Sequence, residues 1–277
     1  MTAILTIHGV NQFDPDRAPA EAAARLGAVW TTALNHGLTV PVEGADVRMV
    51  YYADLLQPTG PVSQGAEGDL DHMSPEAAEA ARHWAELHGV DLDQAQGRVL
   101  TPVRWVADAV ARRKGLDRDA VRGLVARFFP DLVAYLHSPA TRDAVQTRLA
   151  EAIERESPSV LIAHSLGSVV AYDTLWRHGL KVDALISIGS PLAMPDIVFP
   201  HLQHTCTAGK GSRPQGAGAW VNIADPGDLV AIPQPLTERF DKVTTNIRTG
   251  IGAFSFHKAA NYLRNKATAD AVARYVS

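Results

Sequence analysis

The sequence predicts an α/β fold built on a mostly parallel sheet. Six short segments are strand-like: residues 160–162 are an aliphatic run typical of a strand buried on both faces, and residues 242–248 have the alternation of a final strand. Segments with helical periodicity separate most of them, which favours parallel pairing because a parallel crossover needs such a connection. The 277 residues suffice for one large domain of this class with an insertion. The predicted strands lie near residues 3–8, 46–52, 159–163, 184–189, 219–224 and 243–248.

Two helices are predicted beside these strands. Residues 20–35 form the first, and residues 140–156 form the second, which leads into the third strand. Apolar residues recur at helical spacing in the first helix, so one side of it should be buried. We expect this side to contain Ala24, Leu26, Val29, Trp30 and Leu34.

Residues 54–138 exceed what a minimal sheet of this kind requires. The interval opens with a segment rich in Gly and Pro, residues 57–68. Helical stretches are predicted near 75–88, 97–114 and 119–137, and Pro130 is expected to break the last one. One helical face carries Val99, Val103, Val106 and Val110. A denser apolar surface carries Leu124, Val125, Phe128, Phe129, Leu132, Val133 and Leu136.

Residues 160–162 are an aliphatic run typical of a strand, and residues 168–176 have helical composition. The segment between them, Ala163-His-Ser-Leu-Gly167, is therefore predicted to turn a strand directly into a helix. Such a turn strains the backbone of its central residue, Ser165. Small residues two positions before and after it keep the strand and the helix from colliding. The turn also places Ser165 at a helix N-terminus, where backbone N–H groups can stabilise an oxyanion. Ser165 is therefore the candidate nucleophile, and His164 and Gly167 are candidate supporting residues.

This motif resembles the nucleophile elbow of the α/β-hydrolase superfamily, in the Ala-His-Ser-x-Gly form found among small bacterial lipases. Ala163 stands where the first glycine usually does, and alanine is still small. The resemblance implies the α/β-hydrolase fold, a mostly parallel central sheet flanked by helices. It also implies a triad in the order Ser, then Asp or Glu, then His. No cofactor and no metal are expected.

Two aspartates are candidates for the triad acid. Residues 219–224 are a predicted strand, and Asp225-Pro-Gly-Asp228-Leu-Val230 follows it. Lipase-like hydrolases often carry a similar Asp-x-Val-Pro run after the strand that bears the acid, and Asp228 matches it best. Asp225 is the alternative acid because it lies nearer the strand end, although it also suits a turn.

His257 is the candidate base by the same resemblance. It follows the last predicted strand and Phe254-Ser-Phe256, and it precedes a helix predicted to run to the C-terminus, with Tyr262 five residues on. A serine needs an imidazole to accept its proton, and the imidazole needs a carboxylate to fix its tautomer. With 11 histidines in the chain, a solvated histidine at a helix start is the alternative interpretation.

The first predicted strand ends in His8-Gly9-Val10. In the superfamily, an early strand followed by His-Gly leads into a loop that donates one N–H to the oxyanion. The resemblance therefore assigns the oxyanion hole to the backbone nitrogens of Val10 and Leu166. His8 and Gly9 are supporting residues, and His8 is expected to orient the loop.

The resemblance also divides the chain into two parts. Residues 1–53 and 139–277 would form the hydrolase core, and residues 54–138 would form a helical cap that supplies an apolar acyl pocket. The alternative, that these apolar faces simply pack in the interior, stays open.

Composition excludes several classes of function. A net charge of −4 gives no indication of nucleic-acid binding, and the single Cys206 excludes a disulfide framework within the chain. Met1 leads straight into a strand, and no apolar run is long enough to span a bilayer, so we expect no signal peptide and a cytoplasmic location. A zinc site at His201, His204 and Cys206, within the irregular stretch 191–218, is disfavoured because further ligands are absent.

The sequence thus predicts a serine hydrolase that acts on small-molecule carboxylic esters through Ser165, Asp228 and His257. A thioesterase or acyltransferase with the same triad is the first alternative. A non-catalytic binding protein that keeps the fold is the second.

Overall fold

The structure is a computed structural model that describes residues 4–42, 47–57, 70–92, 101–203, 209–252 and 257–276. Six residues named by number above lie outside these ranges: Met1, Val99, His204, Cys206, Phe254 and Phe256. So does nearly all of the Gly- and Pro-rich segment 57–68. The chain forms two compact units. The larger comprises Met1–Leu55, Asp143–Met194 and Val198–Ser277, and the smaller comprises Leu56–Arg142 and Pro195–Ile197.

The larger unit contains a six-stranded sheet in which every neighbouring pair is parallel. All six predicted strands are confirmed. They are β1 (Ile4–Ile7), β2 (Val47–Val50), β3 (Val160–His164), β4 (Val182–Ile188), β6 (Ala217–Ala224) and β8 (Thr245–Arg248), and their spatial order is β2-β1-β3-β4-β6-β8. The stretch 191–218, predicted as irregular, also contributes β5 (Gly211–Ser212), which pairs with β7 (Phe240–Asp241).

Helices of the larger unit pack on both faces of this sheet. One face is buried by α1 (Pro19–Asn35), α7 (Ala259–Arg264) and α8 (Lys266–Ala273). On the other face, Tyr172 of α6 (Leu166–His178) packs on Trp220 of β6, and α5 (Pro139–Glu156) precedes β3. Alternate strand residues such as Ile4, Ile162 and Val221 pack in one cluster with Trp30 of α1 and Tyr262 of α7. These side chains are nearly or fully removed from water, so their hydrophobic burial fixes the helices on the sheet. The architecture is α/β.

Two details of these helices differ from the predictions. Trp30 and Leu34 are buried as expected, but Ala24 and Val29 are exposed, and Leu26 is only partly buried. Each residue advances about 100° around a helix, so Val29 lies about 100° from Trp30, which is near the centre of the buried side, and falls beyond its edge. The prediction of a single C-terminal helix is also wrong. The helix divides at Asn265, whose side chain accepts a hydrogen bond from the N–H of Ala267 at 2.9 Å and so starts α8.

The smaller unit contains α2 (Pro75–Leu87), α3 (Val103–Lys114) and α4 (Arg118–His137). Ser74 and Asp117 cap α2 and α4 by accepting backbone N–H bonds. Asp108 of α3 accepts two hydrogen bonds at 2.7 Å from the guanidinium of Arg122 in α4, which joins the two helices. This bond lowers the pKa of the Asp108 carboxyl.

The apolar faces predicted for this unit are largely confirmed. Val103, Val106 and Val110 are buried, and so are five of the seven residues of the denser surface, whereas Leu124 and Val133 are partly buried. Pro130 does not break the helix, because α4 continues through it. Pro130 lies on the exposed side, where water can satisfy the carbonyl that loses its partner. The role of residues 54–138 as a cap stays a prediction.

In the described ranges, no helix combines the length and the apolar character needed to cross a membrane. The cytoplasmic location stays a prediction.

Candidate active site

The sequence-predicted site residues follow the carboxyl ends of four strands of the sheet. His8 follows β1, Ser165 follows β3, Asp225 and Asp228 follow β6, and His257 follows β8. Parallel strands bring their carboxyl ends to one edge, which is where ligand sites of open α/β sheets form. The topology therefore gathers residues that are up to 249 positions apart in the sequence.

Ser165 occupies the sharp turn between β3 and α6. Its backbone has φ 53° and ψ −129°, a conformation that residues other than glycine rarely adopt. A Cβ atom at Gly167 would lie 2.3 Å from the carbonyl oxygen of His8, so only glycine permits α6 to approach the end of β1 so closely. Ser165 itself is fully buried. The strain predicted for the turn is thus present and is supported by close packing.

His257 lies between Ser165 and Asp228. Its Nε2 is 2.7 Å from Oγ of Ser165, and its Nδ1 is 2.9 Å from Oδ2 and 3.0 Å from Oδ1 of Asp228. With the carboxylate ionised, Nδ1 donates its proton to Asp228 and leaves Nε2 free to accept from the serine hydroxyl. The structure brings the three predicted triad residues into one hydrogen-bonded chain.

The carboxylate of Asp228 is fixed by the turn that contains it. Its Oδ1 accepts the N–H groups of Val230 at 2.7 Å and Ala231 at 3.2 Å. Asp225, the alternative acid, makes different contacts. Its Oδ1 accepts the N–H of Gly227, and its Oδ2 accepts the N–H of Ile251, each at 2.6 Å. Asp225 therefore ties the acid-bearing turn to the segment after β8 and does not contact His257.

Two further residues contact the triad and were not assigned a role from the sequence. The hydroxyl of Tyr262 donates to Oδ2 of Asp228 at 2.7 Å and accepts the N–H of Asp225 at 2.9 Å. Gly189 has φ 58°, and a Cβ atom there would lie 3.1 Å from Oδ2 of Asp228 and 3.3 Å from Cε1 of His257. The sequence offered one signal for Gly189, because a glycine at the end of the predicted strand 184–189 indicates a turn or a close approach.

The loop after β1 passes directly against Ser165. A Cβ atom at Gly9 would lie 2.6 Å from Cβ of Ser165, so this position requires glycine. His8 holds the loop because its Nδ1 donates to the carbonyl of Gly9 at 2.6 Å, and its Nε2 accepts the N–H of Tyr52 at 3.0 Å. The rings of His8 and Tyr52 stack with centroids 4.3 Å apart. Burial lowers the pKa of His8 to about 4, so the ring is neutral near pH 7.

The two expected oxyanion donors lie on either side of Ser165. Leu166 is the first residue of α6, so its N–H has no acceptor within the helix. Val10 follows Gly9 in the loop that touches Ser165. Both positions are compatible with N–H groups directed at a substrate oxygen, and the assignment of the two donors stays a prediction.

His164 packs beside the triad. Its ring centroid lies 4.8 Å from that of His257, and its Nε2 is buried without a hydrogen-bond partner among the described residues. Burial, and then the neighbouring His257, hold the pKa of His164 well below its ordinary value. His164 is thus a neutral neighbour of His257.

Metal ligands do not gather at this edge. Across the ranges that the structure describes, no group of three or more His, Cys, Asp or Glu side chains could hold a metal ion. Of the residues weighed for zinc, His204 and Cys206 lie outside those ranges. A cavity of about 690 Å³ lies between α1, β2 and α5, and its lining includes none of the triad residues.

Comparisons of the chain with models of protein families, with curated proteins and with solved structures found no match.

Proposed function

We propose that this chain is a serine hydrolase of the α/β-hydrolase fold that acts on carboxylic esters. The observation that carries the proposal is the hydrogen-bonded chain from Ser165 through His257 to Asp228, with the serine on a strained strand-to-helix turn. Fold alone would be a weak argument, because one fold serves many functions. The triad is recognised instead by its geometry and by the roles that its members can perform.

In the proposed reaction, Oγ of Ser165 attacks the ester carbonyl carbon while Nε2 of His257 accepts the hydroxyl proton. Asp228 stabilises the imidazolium that forms. The backbone N–H groups of Val10 and Leu166 would donate to the oxyanion of the tetrahedral intermediate. The C–O bond to the alcohol then breaks, and His257 returns its proton to the leaving oxygen.

A water molecule completes the cycle. His257 accepts a proton from the water, whose oxygen attacks the acyl-enzyme carbonyl. The second tetrahedral intermediate collapses, the carboxylic acid leaves, and Ser165 recovers its proton from His257. The chemistry needs no group beyond these side chains and backbone donors.

The test is labelling by a fluorophosphonate combined with hydrolysis of a nitrophenyl ester. We expect the wild type to be labelled at Ser165, and Ser165→Ala to lose labelling and to lower kcat by about 10⁴-fold or more. Ser187→Ala is the matched control. Ser187 is equally buried, in the adjacent strand β4, but its hydroxyl bonds Asn222 and Trp220. Labelling of folded Ser165→Ala at the wild-type rate would exclude Ser165 as the nucleophile.

A further inference from the structure

We propose that Tyr262 is a positioning residue of the triad, whose hydroxyl clamps the carboxylate of Asp228 in the orientation that His257 requires. The inference rests on the proposed function of Ser165, His257 and Asp228 and adds a fourth side chain to that arrangement. Tyr262 does not touch the position of the reacting atoms, so its effect must pass through Asp228.

The direction of the hydrogen bond is set by the surroundings of the phenol. The oxygen of Tyr262 accepts the backbone N–H of Asp225 at 2.9 Å, so one lone pair is already used. Its own proton points to Oδ2 of Asp228 at 2.7 Å. Tyr262 is fully buried, and water does not compete for either bond. The hydroxyl is therefore a dedicated donor to the triad acid.

The carboxylate of Asp228 is held from two sides. Backbone N–H groups of Val230 and Ala231 bind Oδ1, and the hydroxyl of Tyr262 binds Oδ2. This arrangement leaves Nδ1 of His257 at 2.9 Å and 3.0 Å from the two oxygens. Without the phenol, only Oδ1 would be fixed by groups other than His257, and the carboxylate plane could turn about its Cβ–Cγ bond.

The ring of Tyr262 is itself held in place by packing. Tyr262 belongs to α7, and its ring packs in the core cluster against the sheet. A Cβ atom at Gly189 would lie 3.0 Å from Cε2 of the ring, so the end of β4 closes tightly on it. His257 lies two residues before α7 begins, so the proposed general base and Tyr262 belong to one short chain segment.

The phenol of Tyr262 is protonated near neutral pH. Burial, and then the charge of Asp228, raise the pKa of Tyr262 well above its ordinary value. A phenol that keeps its proton draws negative charge from Oδ2 of Asp228. It thereby moderates how strongly the carboxylate stabilises the imidazolium form of His257.

The other ionisable neighbours of His257 do not duplicate this effect. His164 packs on the ring at a centroid distance of 4.8 Å and is held neutral by burial. Asp225 uses its carboxylate on the backbone of Gly227 and Ile251. Asp228 is therefore the charged group in contact with the imidazole among the described residues, and Tyr262 is its side-chain donor besides His257.

The direct test is an NMR titration of the His257 imidazole in wild type and in Tyr262→Phe. Phenylalanine keeps the ring and removes only the hydroxyl, so more charge remains on the carboxylate. We expect the titration midpoint of His257 to move to higher pH. Tyr172→Phe is the matched control, because Tyr172 is also fully buried in the larger unit, but its ring packs on Trp220 and Phe240. An unchanged or lowered midpoint in Tyr262→Phe would overturn the clamp.

A second variant decides the matter if Tyr262→Phe does not fold, since the N–H of Asp225 loses its buried acceptor. Replacement of Tyr262 by 3-fluorotyrosine keeps both hydrogen bonds and makes the hydroxyl a stronger donor. The midpoint of His257 should then move to lower pH. A shift to higher pH, or no shift, would count against the proposal as firmly as a null result in the first variant.

Kinetics separates the clamp from the proposed function. In Tyr262→Phe, kcat should fall by about tenfold or more at unchanged KM, because the unclamped carboxylate can turn and no longer holds His257 in the orientation that Ser165 requires. The acid limb of the kcat/KM profile should move to higher pH. A wild type that neither reacts with a fluorophosphonate nor hydrolyses esters contradicts the proposed function, whereas the titration tests the clamp without any substrate.

Discussion

The loops that flank Ser165 each bring one imidazole to the site, and the two rings are held in opposite ways. In the N-terminal loop, both ring nitrogens of His8 bind backbone groups, the carbonyl of Gly9 and the N–H of Tyr52. In the C-terminal loop, the ring nitrogens of His257 face a carboxylate and a serine hydroxyl. Among the described residues, both ring nitrogens of each imidazole have a hydrogen-bond partner, but only the partners of His257 include a negative charge.

This difference shows that the partners of a histidine decide whether it can act as a base. His8 must keep Nε2 unprotonated to accept from Tyr52, and protonation would place a charge in a site where the cost of burial outweighs the attraction of Asp54. His257 can accept a proton at Nε2 because Asp228 stabilises the resulting cation through Nδ1. The N-terminal loop therefore forms a fixed frame, and the C-terminal loop carries the proposed chemistry.

The largest effect is expected when the carboxylate beside His257 becomes neutral. Asp228→Asn should lower kcat for a nitrophenyl ester by about 10⁴-fold, because an amide neither stabilises the imidazolium nor selects the right tautomer. The variant makes the surroundings of His257 resemble those of His8. Steady-state kinetics over a pH range checks the expectation.

Asp225→Asn is the matched control for this prediction. Asparagine can replace only one of the two backbone contacts of Asp225, so we expect a loss of about 1–3 kcal/mol in the free energy of unfolding. The chemical step should change far less than in Asp228→Asn. If Asp225→Asn lowered kcat more than Asp228→Asn, the triad acid would be Asp225, and the comparison of the two loops would fail.

A smaller effect is expected when the fixed frame is displaced. In Gly9→Ala the new Cβ atom would lie 2.6 Å from Cβ of Ser165 and 2.9 Å from Nδ1 of His164, so the loop must move. Movement of Val10 would remove one proposed oxyanion donor, and loss of one such donor typically lowers kcat by about 10²–10³-fold. Active-site titration with a fluorophosphonate, together with kcat, measures the loss per competent site.

Gly123→Ala is the control for Gly9→Ala. A Cβ atom at Gly123, in the helix α4, would meet nothing closer than 3.9 Å. Alanine favours a helix relative to glycine, so this variant should keep wild-type kcat and should not be less stable. Unchanged turnover in a folded Gly9→Ala would show that the N-terminal loop contributes no donor.

Much of the fold and the turn around Ser165 could be predicted from the sequence, because both depend on local patterns. The inner strands β1, β3, β4 and β6 are rich in apolar residues that are largely buried on both faces, and the turn around Ser165 is indicated by its small neighbours. The preference for Asp228 over Asp225 rested on the resemblance of Asp228-Leu-Val230 to a run found in lipase-like hydrolases, and neither periodicity nor composition supplied it. The two residues lie three positions apart in one turn, and only the path of the backbone decides which carboxylate faces His257.

The role of Tyr262 escaped sequence reasoning for a similar reason. Its hydroxyl meets Asp228 across 34 residues, and such a distance leaves no spacing signal in a single sequence. The helix errors have a different origin. Periodicity indicated that α1 has a buried side but did not fix its centre to within one residue, which misplaced Val29. Pro130 is tolerated in α4 because it lies on the exposed side, and exposure is a tertiary property.

The smallest expected effect concerns stability and belongs to the frame. The pKa of His8 is lowered from 6.5 to about 4 by burial, so between these pH values the unfolded chain binds a proton that the folded chain does not. The free energy of unfolding must therefore fall as the pH falls from about 6.5 to about 4. Above about pH 6.5 the titration of His8 no longer lowers the free energy of unfolding. Below about pH 4 its contribution to the loss is complete and amounts to about 3 kcal/mol at most.

His8→Gln tests this contribution, because the amide oxygen of glutamine can accept the N–H of Tyr52 but cannot titrate. We expect the variant to be less stable than wild type at pH 7 and to lose less stability on acidification. A remaining slope is expected from His164, whose pKa is also lowered by burial. Urea unfolding at several pH values between 4 and 7 measures how steeply the free energy of unfolding changes with pH in each protein. The control is His178→Gln, which replaces an exposed histidine and should keep the wild-type slope. Identical slopes in wild type and folded His8→Gln would mean that His8 accepts a proton in the folded state. In that case the two imidazoles beside Ser165 would not differ in the way that their partners indicate.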